Sequence, residues 1–236
     1  MSVRAQLQRR LQAKFTLVDT TVTLPWSSVS YCITLPAAID PLLDAAVHDP
    51  EENVPYWAIT WPSGIALADL ILTRREEFAG RRVLELGCGL GITATAAIAV
   101  GARLCVTDYG PEALLLCRLN TLRNAGGQPD TLQLNWRQPR PVLFALATPA
   151  YPTILASDVL YESRDVKPLL ELVERLVAPD GTLWLAEPGR DVARRFVAAA
   201  IAHGWRDEAQ QHAGPWTDRE DTGTTVTIHR LRRSNV

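Results

Sequence analysis

The sequence predicts a doubly wound α/β domain, in which helices cover both faces of a mostly parallel sheet. The chain has 236 residues, the size of one ordinary domain of this class. From about residue 63 onward, short apolar segments alternate with helical patterns, and strands joined by helices form right-handed βαβ units. Short apolar strands such as residues 83–86 are typical of burial on both faces.

The predicted elements follow one another regularly along the chain. Helices are expected over residues 63–75, 92–100, 111–124, 164–177 and 192–203, with Ser63 as the N-cap of the first. Strands are expected over residues 82–86, 103–107, 131–136, 153–157 and 182–186, and a β-like alternation covers residues 224–231.

The first 60 residues have a different character. A basic, helix-like start is followed by two β-like runs, residues 15–24 and 29–35, and the intervening Pro25-Trp-Ser-Ser predicts a hairpin turn. Prolines then interrupt the chain up to residue 60. We therefore predict an extension over residues 1–60 that packs on the core as a possible substrate lid, and one domain over residues 61–236.

The composition excludes several classes of protein. With 47% hydrophobic residues and a net charge of −2, the chain is predicted to be globular, with no general affinity for nucleic acids. It has neither a secretory signal nor an apolar run long enough to cross a membrane, which predicts a cytoplasmic protein.

The cysteines and histidines predict no metal site. The cysteines are scattered without CxxC spacing, so we expect four buried thiols in a reducing compartment rather than a zinc site or disulfides. The histidines (His48, His203, His212 and His229) have no acidic or serine partner at a telling spacing, which argues against a hydrolase.

A glycine-rich loop follows the first strand of the regular region. Gly87-Cys88-Gly89-Leu-Gly91 ends this strand and opens the helix expected from residue 92. Glycines permit positive φ and let a ligand lie against bare backbone, and the helix beyond offers free N–H groups. Ligands of open parallel sheets bind at this end of the strands, so the loop predicts a nucleotide-like ligand.

Two carboxylates restrict the class of ligand. Dinucleotide enzymes use G-x-G-x-x-G, whereas this loop reads G-x-G-x-G. Glu85, just before the first glycine, would repel a pyrophosphate but suits a cation such as the amino group of a methionyl moiety. Asp108 ends the next strand, where it can accept both ribose hydroxyls. A nicotinamide oxidoreductase is therefore disfavoured, while a plain glycine turn with a helix-capping aspartate stays the structural alternative.

This combination resembles motif I and the second-strand acid of class I methyltransferases, over roughly residues 60–190. The resemblance implies S-adenosylmethionine as cofactor. It also implies a Rossmann-like sheet of seven strands whose last strand is antiparallel, which residues 224–231 can supply.

Aromatic residues are expected around the cofactor. Trp136, at the tip of the third strand, can cover one face of an adenine ring, and Asn135 can bond the exocyclic nitrogen; the alternative is a core tryptophan. Trp57 and Trp61 precede the first helix of the domain, where they either form the wall of the methionine end or attach the extension to the sheet. We favour Trp61 as the pocket residue.

The fourth strand ends in Ser157-Asp158-Val-Leu-Tyr161. Ser157 is assigned to the cofactor site. Asp158 and Tyr161 resemble the D-x-x-Y/F signature of the seven-β-strand protein methyltransferases called family 16, which includes protein-lysine methyltransferases. The segment 61–64 and residues 135–136 resemble the same group. The [DN]-P-P-[YF] motif of many amino-methyltransferases is absent, which counts against a glutamine or adenine acceptor.

The chemistry of an amine acceptor limits what Asp158 can do. An amine must be neutral to attack, and a nearby carboxylate favours its ammonium form. Asp158 is therefore assigned to capturing and orienting the amine, and Tyr161 to bonding the acceptor or limiting the number of methyl groups. The alternative is a helix N-cap at Asp158 and simple packing at Tyr161. Glu187 ends the fifth strand, either as a substrate contact or within a turn.

Protein-lysine N-methylation is the favoured hypothesis. N-methylation of a small amine or pyridine is the first alternative, because the same fold and cleft serve both. A non-catalytic scaffold that binds S-adenosylmethionine is the second.

Overall fold

The computed structural model describes residues 2–49, 51, 54–218 and 220–233. The strands are β1 (Leu17–Thr23), β2 (Ser30–Pro36), β3 (Arg82–Leu86), β4 (Arg103–Asp108), β5 (Asp130–Gln133), β6 (Tyr151–Ser157), β7 (Val177–Glu187), β8 (Trp205–Ala213) and β9 (Thr225–Arg233). The helices are α1 (Val3–Gln12), α2 (Asp40–Ala46), α3 (Pro62–Thr73), α4 (Ile92–Ala99), α5 (Pro111–Ala125), α6 (Pro141–Leu146), α7 (Val166–Leu176) and α8 (Asp191–Ala202).

The main sheet has seven strands in the order β5-β4-β3-β6-β7-β9-β8. Neighbours from β5 to β7 are parallel, whereas β9 is antiparallel to both β7 and β8. The C-terminal run therefore supplies the antiparallel strand, as predicted. The chain moves outward from β3 to β5 and then returns to β6 on the other side of β3, so the sheet has its topological switch point between β3 and β6.

Two hydrophobic cores lie on opposite faces of this sheet. Val83 and Leu155 face the core that contains α3, α4 and α5, whereas their neighbours Leu84 and Ile154 face the core that contains α7 and α8. Successive side chains of a strand point to opposite faces, so strands covered on both sides must be apolar throughout. The doubly wound α/β prediction is confirmed.

The N-terminal hairpin of β1 and β2 forms a small sheet of its own beside α3 and α5. Asn120 of α5 exchanges two hydrogen bonds with the backbone of Thr34, and Asn124 does the same with Cys32. The buried carboxylate of Asp69 in α3 accepts two N–H groups from the turn between β1 and β2, at 2.6 and 2.9 Å. These side chains attach the hairpin to the helical layer.

Several boundaries differ from the predicted ones. The first domain helix begins at Pro62, with Trp61 as its N-cap, so the assignment of Ser63 as N-cap is wrong. Proline suits the first helical position because its φ is preset and its missing N–H would have no intrahelical partner there. Strand β5 ends at Gln133, which leaves residues 134–136 beyond the strand.

Three elements were not predicted: α2, α6 and β8. Strand β8 lies at the sheet edge and has mostly exposed or half-exposed polar residues, so it lacks the apolar alternation that marks a half-buried strand. Helices α2 and α6 are short, with seven and six residues, and each contains a proline. The prolines led to the prediction of irregular structure in these segments.

Candidate active site

A cavity of about 300 Å³ opens at the carboxyl ends of β3, β4 and β6, beside the switch point. This is the position where open α/β sheets bind their ligands. Almost every site residue predicted from the sequence lines it, namely Trp61, Gly87, Cys88, Gly89, Gly91, Asp108, Asn135, Trp136, Ser157, Asp158 and Tyr161. Segments that are far apart in the sequence therefore meet at one cleft.

Glu85 is the predicted residue that does not line the cavity. Its side chain lies within the sheet and is only 1% exposed. Burial, together with the nearby carboxylate of Asp108, raises the pKa of Glu85 well above its usual value. Its Oε2 atom has no hydrogen-bond partner among the described residues, so the carboxyl keeps an unused polar atom near the loop. A contact between Glu85 and a ligand remains a prediction.

The glycine loop has the backbone geometry that its sequence predicted. Gly87, Gly89 and Gly91 have φ values of 70°, 48° and 80°, in the left-handed region that favours glycine. A Cβ atom on Gly91 would lie 2.7 Å from Sγ of Cys117, and one on Gly87 would lie 2.8 Å from a methyl carbon of Val159. The loop can approach its neighbours this closely only without side chains, and it leaves a bare backbone cradle.

Asp108 joins the glycine loop to the next one. Its carboxylate accepts the N–H groups of Gly89 and Gly110, both at 2.9 Å. Burial raises the pKa of Asp108 to about 6, although these hydrogen bonds favour the ionised form. Asp108 thus stabilises the turn before α5 and lines the cavity, but the helix-capping alternative is wrong, because the N-cap of α5 is Gly110 and no described side chain caps this helix.

Asn135 and Trp136 line the cavity while their polar groups bond to the protein. The indole N–H of Trp136 donates to the buried carboxylate of Asp165 at 3.0 Å. The amide of Asn135 donates to Glu51 and accepts the N–H of Arg137. Trp136 is half-buried, so it is not a fully buried core tryptophan. Because its N–H is already bonded to Asp165, the face of its ring is the part that can contact a ligand.

An aromatic wall, defined as Tyr56, Trp57, Trp61 and Tyr161, borders the cavity. Tyr56 contacts the rings of Trp61 and Tyr161 edge-on, with centroids 5.9 and 4.9 Å apart. The indole N–H of Trp61 donates to the carbonyl of Tyr56, which fixes that ring. Both candidate tryptophans therefore line the cavity. Tyr56 was not predicted, because a lone tyrosine before a tryptophan carries no signal of its own.

Asp158 lies at the end of β6 with its side chain only 6% exposed. Its φ of 53° is left-handed, a conformation that aspartate tolerates better than most residues. No helix starts there, since α7 begins at Val166 with Asp165 as its N-cap residue. The N-cap alternative for Asp158 is therefore wrong.

Asp158 has a cationic partner that the sequence did not reveal. Its Oδ1 atom accepts Nε of Arg190 at 3.0 Å, and its Oδ2 atom accepts the hydroxyl of Ser63 at 3.4 Å. Burial raises the pKa of Asp158, whereas Arg190 opposes this rise. The guanidinium carbon of Arg190 also lies 5.8 Å from the ring centre of Trp61. Arg190 lies at the start of α8, far from Asp158 in the sequence.

Glu187 forms a turn and is not among the cavity-lining residues. Its Oε2 atom accepts the N–H groups of Gly189 and Arg190, and its Oε1 atom lies 3.6 Å from Nε2 of His229. Burial lowers the pKa of His229, but its contacts with Asp207 and Glu187 raise it to about 9. The unpredicted pairing of His229 with two acids fixes the turn that carries Arg190.

The remaining predictions concern metals, thiols and membranes. The cysteines are free, with Cys88 and Cys117 buried but Cys32 and Cys105 only half-buried. Within the described ranges, no group of three or more histidine, cysteine or acidic side chains is arranged to hold a metal ion. In the same part of the chain, every helix is too short or too polar to span a membrane.

A sequence profile described as lysine methyltransferase matches residues 50–199, which is more than half of the chain. The chain belongs to the lysine methyltransferase family. The match includes the aromatic wall, the glycine loop, Asp108 and Asp158. The predicted family is confirmed and, with it, S-adenosylmethionine as the cofactor.

Individual curated proteins resemble part of the chain. The electron transfer flavoprotein β-subunit lysine methyltransferase of Danio rerio is 34% identical over 58% of the chain and 51% of its own length. The histone-arginine methyltransferase METTL23 of Xenopus laevis is 32% identical over 56% of the chain and 57% of its own length. The chain thus spans little more than half of these relatives.

Solved structures support the fold at lower sequence identity. The N-methyltransferase NodS of Bradyrhizobium japonicum, solved with S-adenosyl-L-homocysteine, superposes with a TM-score of 0.58 at 17% identity. The match covers 83% of the present chain and 98% of NodS. It shows the common Rossmann-like methyltransferase fold.

Proposed function

We propose that this chain transfers a methyl group from S-adenosylmethionine to the side-chain nitrogen of a lysine in a protein substrate. One observation carries the proposal: a buried carboxylate, Asp158, and the bare glycine loop line the same cavity. The loop suits the cofactor, and the carboxylate suits a cationic acceptor beside it.

The cofactor end of the cavity fits S-adenosylmethionine, which supplies an electrophilic methyl carbon when it is bound. The cradle at Gly87 and Gly89 admits a ligand close to the backbone, and Asp108 has lone pairs for ribose hydroxyls beyond its two N–H contacts. The ring of Trp136 suits an adenine face, and the unpaired oxygen of Glu85 suits an ammonium group. These assignments are part of the proposal.

The part of the cavity lined by Asp158, Trp61 and Tyr161, here called the acceptor end, fits an alkylammonium side chain. A lysine ammonium can form an ion pair with Asp158 while its methylenes pack against Trp61 and Tyr161. With an ordinary pKa near 10.4, a lysine amine is neutral in about one molecule in a thousand at pH 7.4, a cost of roughly 4 kcal/mol. Removal of water by the aromatic wall favours the neutral amine and reduces this cost.

Two features at the cavity edge support a protein as substrate. Tyr56 is 40% exposed and so leaves part of the aromatic wall accessible to a partner. Burial raises the pKa of Asp221, and the carboxylates of Asp218 and Asp158 raise it further, so acidic groups cluster near the acceptor end. An acidic edge attracts a basic segment that carries the target lysine.

The N-terminal extension is assigned a role as substrate lid, and the protein a cytoplasmic location. Lining residues from Leu42 to Ile59 lie in the second part of the extension, which is therefore the part suited to act as a lid. The hairpin attached to α5 is suited to act as its support. Free thiols agree with a cytoplasmic location, which we propose as well.

The test uses the purified protein, cofactor labelled in the methyl group, and cell lysate with or without protease pretreatment. We expect label in one or a few proteins, lost after protease, and recovered as methyllysine after acid hydrolysis. The Asp158→Asn protein is the matched control and should incorporate roughly a hundredfold less label in the same time. Label confined to small molecules, or recovered as methylarginine, would reject protein-lysine methylation.

A further inference from the structure

The acceptor end contains a fixed positive charge that the proposed methyl transfer has not yet used. Nε of Arg190 lies 3.0 Å from Oδ1 of Asp158, and the guanidinium carbon lies over Trp61. Asp158 and Trp61 both line the cavity. An arginine guanidinium stays charged at every pH a protein tolerates, so this charge is permanent.

We propose that Arg190 is a positioning residue of the acceptor site, whose guanidinium keeps Asp158 ionised and helps the acceptor amine to lose its proton. The inference rests on the proposed function, since it assumes an amine acceptor at Asp158. It adds a role for a residue that lies outside the D-x-x-Y signature and outside the glycine loop.

The net charge around the acceptor determines how strongly its protonated form is held. A carboxylate alone would hold a lysine as its ammonium form, which cannot attack the methyl carbon. Arg190 and Asp158 together carry no net charge. The pair therefore stabilises the protonated form of a nearby amine less than Asp158 alone would. The same cation lowers the proton affinity of Asp158 itself. Arg190 therefore favours the deprotonated form of both the acceptor amine and Asp158.

The other charged groups around Asp158 act against ionisation. Glu187, at the end of β7, adds negative charge near Asp158 and raises its pKa. Asp221, between β8 and β9, has its own pKa raised in part by the carboxylate of Asp158. From α3 only the neutral hydroxyl of Ser63 reaches Asp158. Arg190 is the cation that offsets this acidic surrounding.

The backbone holds Arg190 in place more firmly than its partial exposure suggests. Its side chain is 37% exposed, but its N–H donates to Glu187 at 2.9 Å. Glu187 in turn contacts His229, which is paired with Asp207 at 2.8 Å. The base of the Arg190 side chain is thereby fixed to the edge of the main sheet, as a group with a positioning role requires.

The first test is the dependence of kcat on pH, measured with the labelled protein substrate. In Arg190→Gln, we expect the rising limb to move to higher pH by about one unit or more, because the like charge of Arg190 disfavours the ammonium form of the acceptor in the wild type. Arg190→Lys keeps the charge and should restore most of the wild-type profile. Arg194→Gln is the matched control, because Arg194 supports the same turn through the carbonyl of Gly189 without touching Asp158.

The second test does not require activity. The carboxyl carbon of Asp158, assigned by comparison with Asp158→Asn, is titrated by ¹³C NMR in wild type and in Arg190→Gln. We expect its pKa to rise by about one unit or more in the variant. If the wild-type protein methylates no lysine, the proposed function fails, while this titration still decides whether Arg190 controls the charge of Asp158.

Two results would overturn the inference. One is a titration of Asp158 that is the same with and without Arg190. The other is a lower KM in Arg190→Gln with an unshifted pH profile, which would make Arg190 a simple competitor for the substrate cation. Unchanged adenosylhomocysteine affinity in all variants is required, because it shows that the cofactor end is intact.

Discussion

The cofactor end and the acceptor end of the cavity are built on different principles. At the cofactor end, Gly87, Gly89 and Gly91 present backbone, and Asp108 bonds to two backbone N–H groups. At the acceptor end, Tyr56 and Arg190 present side chains that are held by other side chains and remain partly exposed. One end depends on main-chain conformation, the other on the packing and pairing of side chains.

This difference separates what a substitution can damage. A side chain added at Gly91 meets the Cα atom of Cys117, and one added at Gly87 meets a methyl carbon of Val159, so folding and cofactor binding are lost together. A side chain replaced at the acceptor end leaves the sheet and the loop in place, so turnover is lost while the fold and the cofactor site remain. Three predictions test that separation, from the largest expected effect to the smallest.

Gly91→Ala should destabilise the protein most. A left-handed φ costs a residue other than glycine about 1–2 kcal/mol, and the clash with the Cα and Sγ atoms of Cys117 adds about 1–3 kcal/mol. The measurement is the free energy of unfolding by denaturant. Gly101→Ala is the control, since Gly101 has a φ of 86° with open space around it. Equal losses in the two variants would show that the close approach to Cys117 does not matter.

Asp158→Asn should lower kcat roughly 100-fold, the effect of misplacing a reacting group, while adenosylhomocysteine affinity stays within severalfold of wild type. Asparagine tolerates the left-handed φ, so the fold should be retained. Steady-state kinetics and calorimetry measure the two quantities. Asp191→Asn, which alters an exposed pair with Arg194, should leave both unchanged. A comparable loss of cofactor affinity at Asp158 would erase the distinction between the two ends.

The smallest effect is a pH dependence at the cofactor end. The pKa of Asp108 is about 6 because of burial, so below this pH the carboxyl is protonated and becomes a weaker acceptor for ribose hydroxyls. Adenosylhomocysteine affinity should therefore rise about tenfold from pH 5 to pH 7, as expected for a group whose pKa lies between them.

Calorimetry across this pH range checks the prediction. Asp108→Asn should bind more weakly and lose the pH dependence, whereas Asp130→Asn, at an exposed position of β5, should behave as wild type. A flat wild-type profile would contradict the assignment of Asp108 to the ribose.

The two ends also differ in how far the sequence predicted them. The glycine loop is a run of adjacent residues, and Asp108 follows at the end of the next strand, so local spacing encodes the geometry. Asp158 and Tyr161 were found because they lie three residues apart at a strand end. The main sheet was predicted for the same reason, since each apolar strand is a local pattern.

The rest depends on contacts between distant segments. Arg190 and Tyr56 reach the acceptor end from opposite sides of the sequence, and no local pattern distinguishes them from surface residues. For Glu187 the sequence left a substrate contact and a turn both open, and its two N–H partners identify the turn. Strand β8 was not predicted, because an exposed edge strand can be polar on both faces and then shows no apolar alternation.

The contact between His229 and Glu187 has a consequence for protein engineering. Strands β8 and β9 lie beyond the matched residues 50–199, yet through Asp207 and His229 they support the turn that carries Arg190. A substitution at Asp207 or His229 would therefore change how Arg190 is held at the acceptor end, while the glycine loop, which neither residue contacts in these pairs, stays as it is.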